Sequence, residues 1–497
     1  MKIKSTLTRL LSCFVAVIAV MLFSTNTFAD EQVNYDDQIS LHSDTNSQDT
    51  QNTTPAKAAQ SLDISISASS GKGTSYLKDS SYYTYTSYSA GDTLTITSQQ
   101  PMYGIYVIWG AKTDEWTLSY NSQTKQCGTN GFLHEYVEIP EGTNSCTIEL
   151  SKGETICDIY AYSDGTLPSD VEVWQPSCDN ADFLVFSTHA DDEILFLGGI
   201  LATYGGELND KVQVVYMTNY WNGAKIREHE KLDGLWASGI KYYPVNGDFD
   251  DLYATTLDGA KQIYNIDDVT EFVTEQIRRF KPLVCVTQDI NGEYGHGGHM
   301  LLATSVQTAV NSSMKEDFYP NSATTYETWD VPKTYLHLYP ENTITLNLRT
   351  PLNKFDGQTA LEVAAAAYKK HVSQQWCWFY VSDDYEYSCA NFGLYRTTVG
   401  TDTGNDMLEH VTTYKEQEEQ ARIQAEQASI SVSIAQSEAE SASIAEEQKA
   451  IDKANRNSTI KVVVIVLIVI VAIAGTLTFI RYINVVNARK HKRRRRK

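Results

Sequence analysis

Phe183-Leu184-Val185-Phe186-Ser187-Thr188-His189-Ala190-Asp191-Asp192-Glu193 sets the fold of this chain, because an apolar run of strand length ends directly in a histidine and a row of carboxylates. Apolar and glycine residues follow at once, from Ile194 onward. A histidine and two adjacent acids at the carboxyl end of a strand can supply both metal ligands and a base. Taken alone, the same acids could equally cap the next helix.

Outward from this stretch, apolar strands at 183–187, 212–218, 241–245 and 283–288 alternate with helical patterns at 198–204, 227–238, 269–280 and 300–310. Such alternation predicts a mostly parallel, Rossmann-like α/β sheet over 179–400. In sheets of this kind chemistry collects at the carboxyl ends of strands. A second cluster sits at such an end: Asp289-Ile290-Asn291-Gly292-Glu293-Tyr294-Gly295-His296-Gly297-Gly298-His299. Two histidines three apart with flexible glycines between them can converge on one site as a loop enters a helix.

At these two motifs the sequence resembles the PIG-L/LmbE family of metal-dependent N-acetylglucosaminyl deacetylases. The family's AHPDDE motif is matched by Thr188 to Glu193, and its HxxH segment, often preceded by Asn-Gly-x-Tyr-Gly, by Asn291 to His299. Arg227-Glu228-His229-Glu230 and His371-Val372-Ser373-Gln374 are similar to its RxxE and HxSQ segments. The resemblance implies that His189, Asp192 and His299 hold a catalytic zinc ion with one position left for water, and that Asp191 is the general base. It further implies that His296 stabilises the oxyanion or protonates the leaving amine, that Tyr294 bonds the same oxygen, and that Arg227 holds substrate hydroxyl or anionic groups. Two positions depart from the pattern. Ala190 replaces the usual proline, and Gly298 replaces the aspartate common before the last histidine, whose orienting role is then missing or supplied elsewhere.

The remaining segments read differently. Residues 30–62 are Ser, Thr, Asn, Gln and Asp with few apolar positions, a disordered leader. Residues 63–166 alternate apolar and polar positions between Gly and Asn turns, predicting a β-sandwich. Its aromatics, among them Tyr82, Tyr83, Tyr85, Trp109 and Trp116, would suit sugar stacking, although tyrosine-rich strands are ordinary in a secreted sandwich. Residues 408–460 are rich in Glu, Gln, Ala and Ser and predict a helical stalk, with isoleucines too irregular for a coiled coil.

Both ends are membrane-directed. Residues 1–29 carry Lys2, Lys4 and Arg9, an apolar run and a small residue at Ala29, the pattern of a cleaved signal peptide. Residues 462–480 are long enough for one transmembrane helix, and the basic tail 481–497 predicts a cytoplasmic C-terminus with the domains outside. Between the ends, residues 30–460 hold 27 basic and 62 acidic side chains, so the bulk of the chain repels phosphate backbones and no nucleic-acid partner is expected. Seven cysteines lie past residue 29. Cys285, in an apolar run, reads as a buried thiol, and the other six could form up to three bridges, Cys377 to Cys389 first by proximity.

The combined expectation is a surface-anchored, zinc-dependent deacetylase of N-acetylglucosamine-type sugars or glycans. The alternatives are an inactive glycan-binding adhesin and a metal-dependent amidohydrolase acting on a non-sugar amide.

Overall fold

The computed structural model describes residues 57–494. The expected signal peptide, the leader up to residue 56 and the last three residues of the tail lie outside the described residues.

Seven antiparallel strands build the first domain: β1 (Ile64–Ala68), β2 (Thr86–Tyr88), β3 (Thr93–Trp109), β4 (Trp116–Tyr120), β5 (Gln123–Cys127), β6 (His134–Leu150) and β7 (Glu154–Tyr162). They are hydrogen-bonded as one sheet rather than as two separate ones. The 17-residue strands β3 and β6 are shared by two wings. The first half of β3 pairs with β1 and the end of β6, its second half with β7 and the start of β6, and the register shifts between Thr97 and Met102. Order begins before residue 63, since Ala58 and Ser61 bridge Thr166 and Tyr162. Trp109 and Trp116 are core residues, both donating Nε1 hydrogen bonds to Glu135, so neither offers a face to a sugar.

A connector leads to the α/β domain, whose sheet runs β10 (Val245–Asp250), β9 (Val212–Asn219), β8 (Phe183–Ser187), β11 (Val284–Thr287), β12 (Lys333–His337), β14 (Asn391–Thr397), β13 (Thr343–Thr345). β10 to β12 are parallel, and β14 and β13 close the edge antiparallel. β8, β9 and β11 are buried at every position, which is why they read as unbroken apolar runs. The third parallel strand begins at Val245, not Lys241, because Pro244 cannot donate to a ladder. The order of the sheet reverses between β8 and β11, and both sequence motifs leave the carboxyl ends of these neighbours.

Helices α1 (Asp192–Leu195), α2 (Gly198–Ile200, continuing as a π-helix to Glu207), α3 (Ile226–Ala237), α4 (Leu257–Ile263), α5 (Ile266–Phe280), α6 (Gly297–Val310), α7 (Pro320–Tyr326) and α8 (Ala360–Tyr368) complete the domain. α9 (Tyr414–Arg494) is one continuous helix in place of the separate stalk and span. It starts at a capping box in which Thr413 Oγ1 accepts from the Glu416 N–H and the Glu416 carboxylate accepts from Thr413 N. By length and composition it is apolar enough to cross a membrane. All seven described cysteines are free thiols. The Cys377 to Cys389 bridge is absent: Cys377 Sγ lies 3.1 Å from the Tyr368 hydroxyl, while Cys389 is buried in the core.

The two domains meet through buried polar groups. His134 of β6 places Nδ1 2.7 Å from Glu172 and Nε2 2.9 Å from His229 Nδ1 on α3. Tyr82 donates to Asp233 at 3.0 Å and Trp174 to Glu172 at 2.7 Å. Burial pushes His134 down to about 4, Glu172 up to about 7 and Asp233 up to about 8, the last helped by the nearby Glu172 charge.

Candidate metal and catalytic site

The loop after β8 turns sharply. Asp191 takes a φ of +119°, a conformation rare for any residue but glycine, and its N–H donates to Glu193 at 2.8 Å. The His189 N–H donates to Asp192 Oδ2 at 3.1 Å. Asp192 and Glu193 occupy the first turn of α1, where the helix dipole favours negative charge. The loop after β11 is tied to the first by Gln288, whose Oε1 accepts from Thr188 N at 2.9 Å. Gly292 is required there: at φ +75° a Cβ would sit 2.3 Å from the His296 carbonyl oxygen.

Four side chains bring donor atoms together where these loops meet: His189, Asp192 and His299 at contact distance, with a ring nitrogen of His296 within 4.8 Å of donor atoms of the other two histidines. His189 Nδ1 lies 2.8 Å from Asp192 Oδ2 and 3.1 Å from His299 Nε2, and His299 Nε2 lies 3.0 Å from Asp192 Oδ2. Ligands held in a tetrahedron at zinc–nitrogen bond lengths stand ~3.3 Å apart, so this compact imidazole-imidazole-carboxylate set fits a divalent cation. All three side chains are buried. His299 Nδ1 is 2.6 Å from Glu293 Oε2, and His189 Nε2 is 3.4 Å from Asp251 Oδ1, so each imidazole has a carboxylate behind it.

His296 closes over the set, its ring 4.6 Å from both His189 and His299. Burial and the charges of those two histidines push it down to about 2. Its Nδ1 accepts from the Gly298 N–H at 3.1 Å, which leaves the neutral ring carrying its proton on Nε2. Burial and the Asp192 and Asp191 charges raise the Tyr294 hydroxyl far above its ordinary value, so it too stays a donor.

Asp191 is buried beside the donor set, and Arg227 Nη2 reaches its Oδ1 at 2.9 Å. Burial raises Asp191 above the usual carboxylate range while Arg227 pulls the other way. Arg227 also bonds Asp251 Oδ2 at 3.1 Å and the Ala190 carbonyl at 2.5 Å, and its guanidinium lies 4.3 Å over the Tyr220 ring. Only its Nε lacks a partner. Its Nη1 and Nη2 are thus engaged by two carboxylates and a backbone carbonyl of the protein.

A family model described as GlcNAc-PI de-N-acetylase matches residues 184–310, the segment that holds both loops. This chain carries a PIG-L family domain. The domain is 26% identical over 178 residues to the 1D-myo-inositol 2-acetamido-2-deoxy-alpha-D-glucopyranoside deacetylase of Rhodococcus erythropolis, covering 31% of this chain and 59% of that protein. It is 34% identical over 76 residues to deacetylase 2 of the same description from Saccharopolyspora erythraea, 15% of this chain and 27% of that protein. The chain therefore spans under two thirds of the length of these relatives. Among solved structures, an N,N'-diacetylchitobiose deacetylase from Pyrococcus horikoshii superposes with a TM-score of 0.31 and 16% identity, over 39% of this chain and 71% of that one.

The two weaker motifs of the PIG-L domain also find each other. Ser373 donates from N and Oγ to Glu230 at 2.7 and 2.5 Å, and His371 Nε2 lies 3.5 Å from Glu193 Oε1. Glu293, His337 and Asp251 were not singled out as ligand supports by the sequence. The pattern Glu-x-x-x-x-x-His gives no periodic signal in a loop, and His337 comes from the end of β12, outside the motifs. A second group with metal-capable atoms, His134, Glu172 and Asp233, is satisfied by Tyr82, Trp174 and His229 and is a polar joint between domains.

Proposed function

We propose that the PIG-L domain is a zinc-dependent deacetylase that hydrolyses the N-acetyl group of N-acetylglucosamine-type sugars or glycans. The observation that carries this reading is the triangle of His189, Asp192 and His299 donor atoms with Asp191 held beside it by Arg227. A bound divalent cation would polarise the amide carbonyl and acidify the attacking water. Asp191 takes the proton from that water, and its raised pKa keeps it basic enough near neutrality without a strong base elsewhere. His296, neutral with Nε2–H free, and Tyr294 donate to the oxygen on which charge develops. The proton held by Asp191 then passes to the leaving nitrogen, and the C–N bond breaks to give acetate and a free amine.

The first 29 residues and α9 support a surface location, with the domains outside and the basic tail in the cytoplasm. The intact donor set and base argue against the inactive-adhesin reading. Acetate release by the full chain in detergent, from N-acetylglucosamine and its oligosaccharides, tests the proposal. Release should require added zinc and stop with chelator. No release at one equivalent of bound zinc would refute the sugar deacetylase and leave the non-sugar amide.

A further inference from the structure

The solvent-exposed aromatics of the α/β domain are not scattered. Tyr253 is 69% exposed, Trp376 83%, Trp378 62% and Tyr380 52%, and they come from two loops only. Both loops border the site. The Tyr253 ring stands 5.0 Å from His296 on one side. On the other, ring contacts run outward without a break: His299 to Tyr294 at 5.4 Å, Tyr294 to Phe379 at 4.4 Å, Phe379 to Trp378 at 4.1 Å. Phe379 is half-buried against the core, so Trp378 has a fixed seat beneath it while its outer face meets water.

Large aromatic faces left in solvent at the mouth of a site are costly unless a ligand covers them. Pyranose rings present apolar C–H faces that stack on such surfaces, and an aromatic ring adds area at little entropic cost. From His299 to Trp378 the track takes three ring-to-ring steps. Residues 376–388 carry no lysine or arginine and three carboxylates, and Arg349 neutralises one of them, Asp383, by a bidentate pair at 2.6 and 2.7 Å. That balance excludes a polyanionic chain.

We infer that the site takes a neutral N-acetylated glycan several sugars long, one N-acetylated ring at the His189, Asp192 and His299 set and the neighbouring rings stacked along Trp378 and Trp376. This rests on the deacetylase reading and narrows its substrate to a chain rather than a small soluble glycoside.

The test uses zinc-loaded full chain in a sugar-free detergent and chitin oligosaccharides of one to five units. The ratio of kcat/KM for the pentamer over the monomer should be large in the wild type. It should fall at least tenfold in Trp378→Ala, mainly through KM, recover in Trp378→Phe, and stay unchanged in Tyr76→Ala, an exposed aromatic of the other domain. A wild-type ratio near one, or equal losses on monomer and pentamer in Trp378→Ala, overturns the inference. If no substrate releases acetate, the deacetylase reading fails by itself. Tryptophan fluorescence then decides: pentamer quenching that is lost in Trp376→Ala and Trp378→Ala upholds the track, and absence of quenching in the wild type sinks it.

Discussion

Glu293 accepts a hydrogen bond from His299 Nδ1 at 2.6 Å, with its other oxygen 3.0 Å from His337 Nδ1. A carboxylate behind a ligating imidazole fixes the ring and makes it more basic. Position 298 lacks the acid that the family resemblance leads one to expect, and Glu293, five residues earlier, stands where such a partner is needed.

Replacing that partner should show first in the metal. Glu293→Gln is expected to weaken zinc binding by about 10–100-fold while the fold persists. A chelator-competition titration checks this, and unchanged affinity would remove Glu293 from the site's support.

Asp191→Asn should retain one equivalent of zinc yet lose about 10²–10⁴ in kcat. Arg227→Gln acts through the same carboxylate. With its cation gone, Asp191 is protonated more readily, so the acid limb of the rate profile should move to higher pH. A limb that stays put would mean that another group takes the proton.

Restoring the family aspartate should harm rather than help. A Cβ at 298 would lie 3.1 Å from the His296 ring and 3.3 Å from Thr188 Cγ2, both immobile in the packed site. If His296 serves the oxyanion as proposed, Gly298→Asp is expected to lower kcat about tenfold or more by displacing its ring. A faster enzyme would show that Glu293 does not replace the missing acid.

The polar joint between the domains makes stability depend on pH. Asp233 has a folded pKa of about 8, above its unfolded value of ~4. Its contribution is complete below pH ~4 and is lost as pH rises through about 8. His134, pushed down to about 4, works in the opposite sense, so the comparison must isolate one group. Asp233→Asn should gain on the wild type in melting temperature as pH rises from about 4 to about 8. Parallel curves would place Asp233 outside the linkage.

Much of this was legible because period and motif coincide. The fully buried strands β8, β9 and β11 announce themselves as apolar runs, and both motif loops lie where those runs end. What escaped depended on contacts distant in sequence. Asp251, 62 residues from His189 in sequence, faces it in the fold. Arg227 reads as a substrate-holding side chain, and the fold buries it in an ion pair with Asp191. Trp109 and Trp116 would suit sugar stacking or a core equally, because strand alternation alone does not say which face of a bent sheet is inside, and they are core residues. The later start of β10 follows from Pro244, just before its first residue.

The segment that matches the family, 184–310, is shorter than the unit that would have to fold to work. His337 and His371 lie past its end, and His134, Tyr82 and Glu172 belong to elements before its start. A fragment cut at the boundaries of the family match would open α3 along the side where His229 and Asp233 are now covered, and α3 also bears Arg227. The sheet domain is thus a wall of the α/β domain rather than cargo fused to it, and chimeras that exchange one half without the other should lose the stability of both.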